Sequence, residues 1–127
     1  MNEVVRAVDT REWNEDVLGS EVPVLVDFWA AWCGLCQLVS PIVEQIAKER
    51  ADEIKVLKLD VDENSEVAAE HGIRSVPTLV LFSCGVERER AVGAAPKPRL
   101  GAELDKAMVL ARAGSPRDED APYEGGV

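Results

Sequence analysis

Val24-Leu25-Val26-Asp27-Phe28-Trp29-Ala30-Ala31-Trp32-Cys33-Gly34-Leu35-Cys36 is an apolar run that ends on two thiols three positions apart. Val22 to Trp29 reads as a buried strand. Leu35 to Arg50 reads as a helix, with Val39, Ile42, Val43, Ile46 and Ala47 spaced as an apolar stripe. The cysteines therefore fall at a strand-to-helix junction, Cys33 at the first turn and Cys36 one turn inside on the same face. Cα atoms at that spacing lie within the range a disulfide requires, so the ring can close without moving the backbone. The unpaired N–H groups and positive dipole end of a helix N-terminus favour thiolate over thiol at Cys33. The site reads as redox chemistry. The competing reading is half of a zinc site, which needs two more ligands; only Cys84 and His71 remain, isolated and at element ends.

The chain of 127 residues fits one domain that can bury a core without structural disulfides or metals. Its N-terminus lacks the basic start and long apolar stretch of a signal peptide, and no apolar run approaches the roughly 18 residues of a membrane span. The expected compartment is the cytoplasm, where a close cysteine pair is catalytic or metal-binding rather than structural. A formal net charge of −10 argues against nucleic acid and anionic membrane as partners.

Working outward, Val4 to Val8 is a short β-prone segment. Asp9 or Thr10 can cap a helix to about Leu18, with Glu12 placed for a capping box if Asp9 is the cap. Pro41 falls inside the long helix and should kink it. Ile54 to Val61 reads as the next strand, Glu66 to His71 as a short helix with Gly72 after it, and Thr78 to Phe82 as another strand. Cys84-Gly85 is a tight turn into the more exposed strand Val86 to Val92, whose alternating charges suit an edge. Pro98 can start a final helix that ends near Gly114. The order predicts an α/β domain over residues 1–114, a mixed sheet with helices on both faces. Residues 115–127 are acidic and rich in proline and glycine, an expected disordered tail.

Asp27 sits in a strand that is apolar on both faces, so it is expected to be buried rather than solvent-facing, with a raised pKa that lets it take up a proton near neutral pH. Lys58, read alone, is as readily an ordinary snorkelling strand lysine as a site residue. His71 reads as a helix-terminal residue meeting the dipole, not as a catalytic base. Pro77, read alone, is a trans loop proline. Cys84 reads as a tolerated turn residue whose exposure leaves oxidation or intermolecular pairing open.

Taken together, these stretches resemble the thioredoxin family: Val24 to Cys36, Pro41, Lys58 to Asp62, Gly72-Ile73-Arg74-Ser75-Val76-Pro77-Thr78, and Gly93-Ala94, in the family's order and spacing over roughly Val4 to Ala113. The resemblance implies the thioredoxin fold and a protein-disulfide reductase cycling through a reversible Cys33–Cys36 disulfide. It implies that Cys33 is the exposed nucleophile and Cys36 the resolving thiol. Asp27 would accept the proton of Cys36 through water, with Lys58 beside it. It implies a cis Pro77 facing the disulfide, Val76 pairing its backbone with substrate, and a docking surface completed by Trp32, Gly34, Leu35, Gly93 and Ala94. No bound cofactor or metal is implied. Electrons would come from a separate thioredoxin reductase, flavin- or iron–sulfur-dependent, and pass to disulfide-containing client proteins, with the chain a monomer.

Leu35 stands where typical members carry proline, and Gln37-Leu38 where a basic-plus-apolar pair is usual. Cys84 replaces the asparagine or aspartate common at that turn, and the acidic tail lies outside the pattern. Leucine at position 35 restores an N–H in the first helical turn that a Cys33 thiolate can accept, which should stabilise the reduced form. Two alternatives stay open on the sequence: a more oxidising oxidase or isomerase of this type, and a docking subunit in which redox chemistry is secondary.

Overall fold

The computed structural model describes residues 4–113, with side chains described to residue 109. The sequence-based tail, 115–127, lies outside the described residues. The five strands are β1 (Arg6–Ala7), β2 (Val24–Trp29), β3 (Lys55–Asp60), β4 (Thr78–Ser83) and β5 (Val86–Val92). The helices are α1 (Gly34–Glu49), α2 (Ser65–Glu70) and α3 (Lys97–Ala113). One sheet runs β1-β3-β2-β4-β5. The pairs β1–β3 and β3–β2 are parallel, and β2–β4 and β4–β5 antiparallel, so the sheet is mixed as expected.

Both faces are covered. On one, Val39, Val43, Ile46 and Ala47 of α1 and Leu100, Leu104, Ala107 and Met108 of α3 pack on Leu25, Val56, Leu79 and Leu81. On the other, Trp13, Val17 and Val67 pack on Val24, Val26, Phe28, Leu57, Leu59, Val80 and Phe82. Alternate residues of β2 thus enter opposite layers, as its period of two demands. Asp27, in step with Leu25, is turned toward the α1 side.

Several local readings hold at the level of single hydrogen bonds. The Asp9–Glu12 capping box is reciprocal: the Glu12 N–H donates to Asp9 Oδ1 at 3.0 Å and the Asp9 N–H to Glu12 Oε1 at 3.2 Å. What it opens is shorter than a regular helix, a turn that widens into one loop of π-helix at Asn14–Leu18, closed by Gly19 N–H to Asn14 O at 2.8 Å. Pairing in β2 begins at Val24 rather than Val22, because Pro23 has no N–H to give the ladder; its carbonyl accepts from Lys55 N–H at 2.9 Å. The helix α1 runs on through Pro41, and the carbonyl left without an N–H belongs to exposed Gln37. At the β4–β5 hairpin both Cys84 (φ 55°) and Gly85 (φ 77°) are left-handed, as a two-residue turn of the primed type requires. That backbone is why asparagine and aspartate suit the position and a cysteine there is strained.

Candidate functional site

The site forms where the C-terminal end of β2 meets the N-terminus of α1. Cys33 and Cys36 are joined as a disulfide, with Cα atoms 5.3 Å apart. Cys33 is not in the first turn of the helix, as the spacing suggested. It is the N-cap, with extended backbone (φ −92°, ψ 110°), and its sulfur accepts the Cys36 N–H at 3.1 Å. A capping sulfur satisfies one of the orphan donors that every helix start carries. The expected contrast in exposure also fails, since Cys33 and Cys36 are both 5% exposed. Ala30 lies beneath the pair, with Trp29, Val61 and Val76 packed around it.

The two sulfurs differ in what they face. Cys33 Sγ lies 3.6 Å from the carbonyl oxygen of Val76, in the loop that ends on the cis Val76–Pro77 peptide. The cis bond is the one the resemblance implied and composition did not. Cys36 instead lines a cavity of about 130 Å³ with Asp27, Trp29, Ala30, Ala31, Gln37, Ser40 and Lys58. Asp27 is 5% exposed, and its Oδ1 is buried with no hydrogen-bond partner in the protein. Burial pushes its pKa up from 3.8 to about 6, against the opposing charge of Lys58. Lys58 is the register partner of Asp27 on β3, and its Nζ lies over the Trp29 ring, 5.9 Å from the centroid. That position makes it more than a surface lysine, because removing its charge removes the force that holds Asp27 down. Lys58→Met is therefore expected to raise the Asp27 pKa above 6, seen as an upward shift in the pH profile of unfolding. An unchanged profile would detach Lys58 from Asp27.

The rim is apolar and exposed. Trp32 is 71% exposed and held in place by its indole N–H, which donates to Asp62 Oδ2 at 2.8 Å. Gly34 and Leu35 lie on the surface at the helix start, and Ala94 is exposed after β5. Gly93 (φ 88°) needs its left-handed backbone there, and its N–H donates to Pro77 O at 2.8 Å. All the site residues expected from sequence thus gather at one end of the sheet.

The thioredoxin family model matches residues 4–106. The chain belongs to the thioredoxin family. It is 48% identical over 103 residues to "Thioredoxin 1" of Synechococcus elongatus, covering 81% of this chain and 96% of that protein. It is likewise 48% identical over 99 residues to the "Thioredoxin" of a Synechocystis strain, covering 78% and 92%. To the pea protein "Thioredoxin M-type, chloroplastic" it is 46% identical over 102 residues, 80% of this chain and 59% of the relative. As a thioredoxin-family member with this cysteine pair, the chain is a thiol–disulfide oxidoreductase whose redox centre is the Cys33–Cys36 disulfide. The family works through that disulfide without a bound cofactor, and its members act on disulfide-containing targets and are re-reduced by a reductase. Among the described residues no helix is long and apolar enough to cross a membrane.

Zinc fares badly on position as well as on spacing. The His71 ring is engaged elsewhere, and Cys84 is exposed in the β4–β5 turn. His71 also departs from the dipole reading. Its Nε2 accepts the Trp13 indole N–H at 3.1 Å, and its ring packs on Trp13 and Phe82. Burial lowers its pKa despite the Glu70 and Glu87 carboxylates, so this is a neutral ring in an aromatic cluster and not a cation meeting a helix end.

Three contributors carried no assigned role in the sequence reading. Ser40 stands four residues after Cys36 on α1, so helical spacing alone could have put it beside the cavity. Gln37 was visible only as a departure from the family pattern. Asp62 lies 30 residues from Trp32, and no period links them.

Proposed function

We propose that Cys33 attacks the client disulfide and that Cys36 resolves the intermediate. The single observation that carries this is the asymmetry of surroundings: Cys33 faces the Val76 carbonyl and the open rim, whereas Cys36 faces the Asp27 cavity. In the reduced chain the Cys33 thiolate displaces one client sulfur as a thiolate and forms a mixed disulfide through the other. Cys36 then attacks Cys33 Sγ, the client leaves as a dithiol, and the Cys33–Cys36 bond closes again. Two electrons pass from the pair to the client. The Cys36 N–H that caps Cys33 Sγ in the disulfide is in position to stabilise the thiolate when the bond opens.

Asp27 is the proton acceptor for Cys36. A pKa near 6 leaves it ionised at neutral pH yet basic enough to bind a proton, and the cavity has room for a bridging water. Lys58 tunes it. Trp32, Gly34, Leu35, Val76, Pro77, Gly93 and Ala94 form the client surface, with Val76 offering backbone groups to an extended segment. The reductase that supplies electrons is flavin- or iron–sulfur-dependent, and the chain acts as a monomer in the cytoplasm. The exposed thiol of Cys84 suits a reducing compartment, and the charged residues of β5 suit an unpaired edge. The domain spans residues 1–114, with 115–127 an acidic tail, on composition alone. Reduction of insulin with each reductase type, and with neither, tests the cycle; a chain that no reductase can recharge would sink it.

The geometry narrows the expectation for Leu35. The donor to Cys33 Sγ is the Cys36 N–H and not that of Leu35, so proline at position 35 leaves that bond intact. Leu35→Pro removes only a further unpaired amide of the first turn. The expected result is a lower potential, by no more than about 30 mV, the equivalent of roughly 1.4 kcal/mol for a two-electron couple. Equilibration against glutathione measures it. A larger shift, or an upward one, would assign control of the poise to helix geometry instead.

A further inference from the structure

Nothing in the disulfide chemistry uses Arg90, yet all three of its guanidinium nitrogens are engaged. Nε and Nη2 form a fork on the two oxygens of Glu87, both at 2.8 Å. Nη1 donates to the carbonyl of Gly72 at 3.2 Å, and Nη2 also donates to the carbonyl of His71. Those two carbonyls belong to the C-cap of α2, His71, and to Gly72 after it, the point where the chain leaves the helix; the helix's own Val67, Ala68 and Ala69 carbonyls accept from His71, Ile73 and Gly72 N–H. A guanidinium supplies several planar donors at once, and its charge suits a helix C-terminus.

The chain leaving that point runs directly to the redox centre. Gly72 (φ 66°) turns it out of α2, and Ile73 to Val76 lead to the cis peptide before Pro77. The far end of this loop is tied twice, by Gly93 N–H to Pro77 O at 2.8 Å and by Thr78 Oγ1 to Ser75 O at 2.7 Å. The near end is tied by Ile73 N–H to Ala68 O at 2.9 Å and by the Arg90 donors. Arg90 and Gly93 stand on the same end of the hairpin, on β5 and just after it. One segment therefore braces both ends of the loop that holds Val76 O 3.6 Å from Cys33 Sγ.

We propose that Arg90, forked on Glu87, is a positioning residue for client docking: it fixes the His71–Val76 loop so that the Val76 backbone is presented ready-made to an extended client segment. The inference rests on the reading above that Val76 and Pro77 meet the client. Preorganisation of this kind acts on binding, because a loop already in its bound form loses less freedom when the client arrives. It leaves the cysteines, the capping N–H and Asp27 untouched.

The test uses the full chain and its Arg90→Ala, Arg90→Lys and Glu87→Gln variants, with insulin as the protein disulfide and a small aromatic disulfide as the control. Arg90→Ala is expected to raise KM for insulin about fivefold, the scale of one ordinary hydrogen bond's net contribution. Turnover at saturation, the rate with the small disulfide and the potential against glutathione should stay where they are. Arg90→Lys, which keeps a donor for the His71 carbonyl but loses the fork, should recover part of the KM. A lowered Tm with KM unchanged would make Arg90 a structural residue and overturn the proposal. Should Arg90→Ala not fold, Glu87→Gln, which keeps Arg90 and loosens only its fork, carries the test with a KM rise of about twofold. Amide exchange in the Cys36→Ser chain trapped with a client separates the two ideas. Slowed exchange at Val76 and Thr78 is expected. Its absence would overturn the docking reading itself, whereas slowed exchange with KM unchanged in Arg90→Ala would overturn only the role of Arg90.

Discussion

Replacing Cys33 by serine is expected to bring protein-disulfide reduction down to background, a loss of at least about a thousandfold, while Cys36→Ser leaves chains covalently joined to their clients. The two cysteines are equally buried in the disulfide, so this difference comes from what each sulfur meets. Cys33 Sγ takes an N–H at the helix start and borders the Val76 carbonyl. In the reduced protein that donor and the helix start favour the Cys33 thiolate. Cys36 is held against the cavity that contains Asp27. In the reduced protein, a limiting amount of alkylating reagent should label Cys33 first, and non-reducing gels of Cys36→Ser with a client should show a mixed disulfide through Cys33. Preferential labelling of Cys36, or clients trapped by Cys33→Ser instead, would reverse the assignment.

Asp27→Asn is expected to make the protein more stable at pH 7 and slower to resolve its mixed disulfide. The folded-state pKa is raised from 3.8 to about 6, with burial as the first cause and Lys58 acting against it. A group whose pKa is raised on folding binds more protons in the native state than in the unfolded one. Its contribution is therefore fully present below about pH 3.8 and is lost as pH rises through about 6. At neutral pH the native protein holds an ionised carboxylate with an unpartnered oxygen, at a cost on the order of 3 kcal/mol, taking about 1.4 kcal/mol per pKa unit. A neutral side chain of the same shape removes that cost. The gain of Asp27→Asn over the native chain should shrink as pH falls from 7 toward 4, which denaturant melts across that range will show. The kinetic half has the opposite sign. Without a proton acceptor, closure of Cys36 onto Cys33 should slow by about a hundredfold at pH 7, and the deficit should fade where Cys36 ionises unaided. Native turnover in Asp27→Asn at pH 7 would take Asp27 out of the mechanism, whatever its effect on stability.

Local spacing carried much of the molecule. The run from Val24 to Trp29 has apolar residues at every position but one, so it had to be covered on both faces, and Asp27 had to be buried with it. The Asp9–Glu12 capping box, the left-handed Gly72 after α2 and the Cys84-Gly85 turn were legible for the same reason: each is decided by a few consecutive residues and the backbone angles they permit. Errors appeared where helical spacing was made to stand for depth. Counting one turn between the cysteines put Cys33 within the first turn of the helix, and the resemblance made it the exposed one. The extended backbone of a cap folds the first sulfur back over the helix start and buries both equally.

What only the tertiary structure decided joins residues far apart in the chain. The Trp13 N–H donates to His71 across 58 positions, in an aromatic cluster whose burial lowers the pKa of that ring. Asp62 holds Trp32 across 30, and Arg90 reaches back 18 to Gly72, just past α2. No period or motif encodes such pairs, because each depends on which strands become neighbours and in what register. The sequence by itself determined the strands, the helices, the buried carboxylate and the thiol pair, all set by local periodicity and burial. The sheet order β1-β3-β2-β4-β5 determined what each of those groups faces, because it sets Lys58 opposite Asp27 on β3 and pairs β5, which carries Arg90, with β4, the strand that follows Pro77.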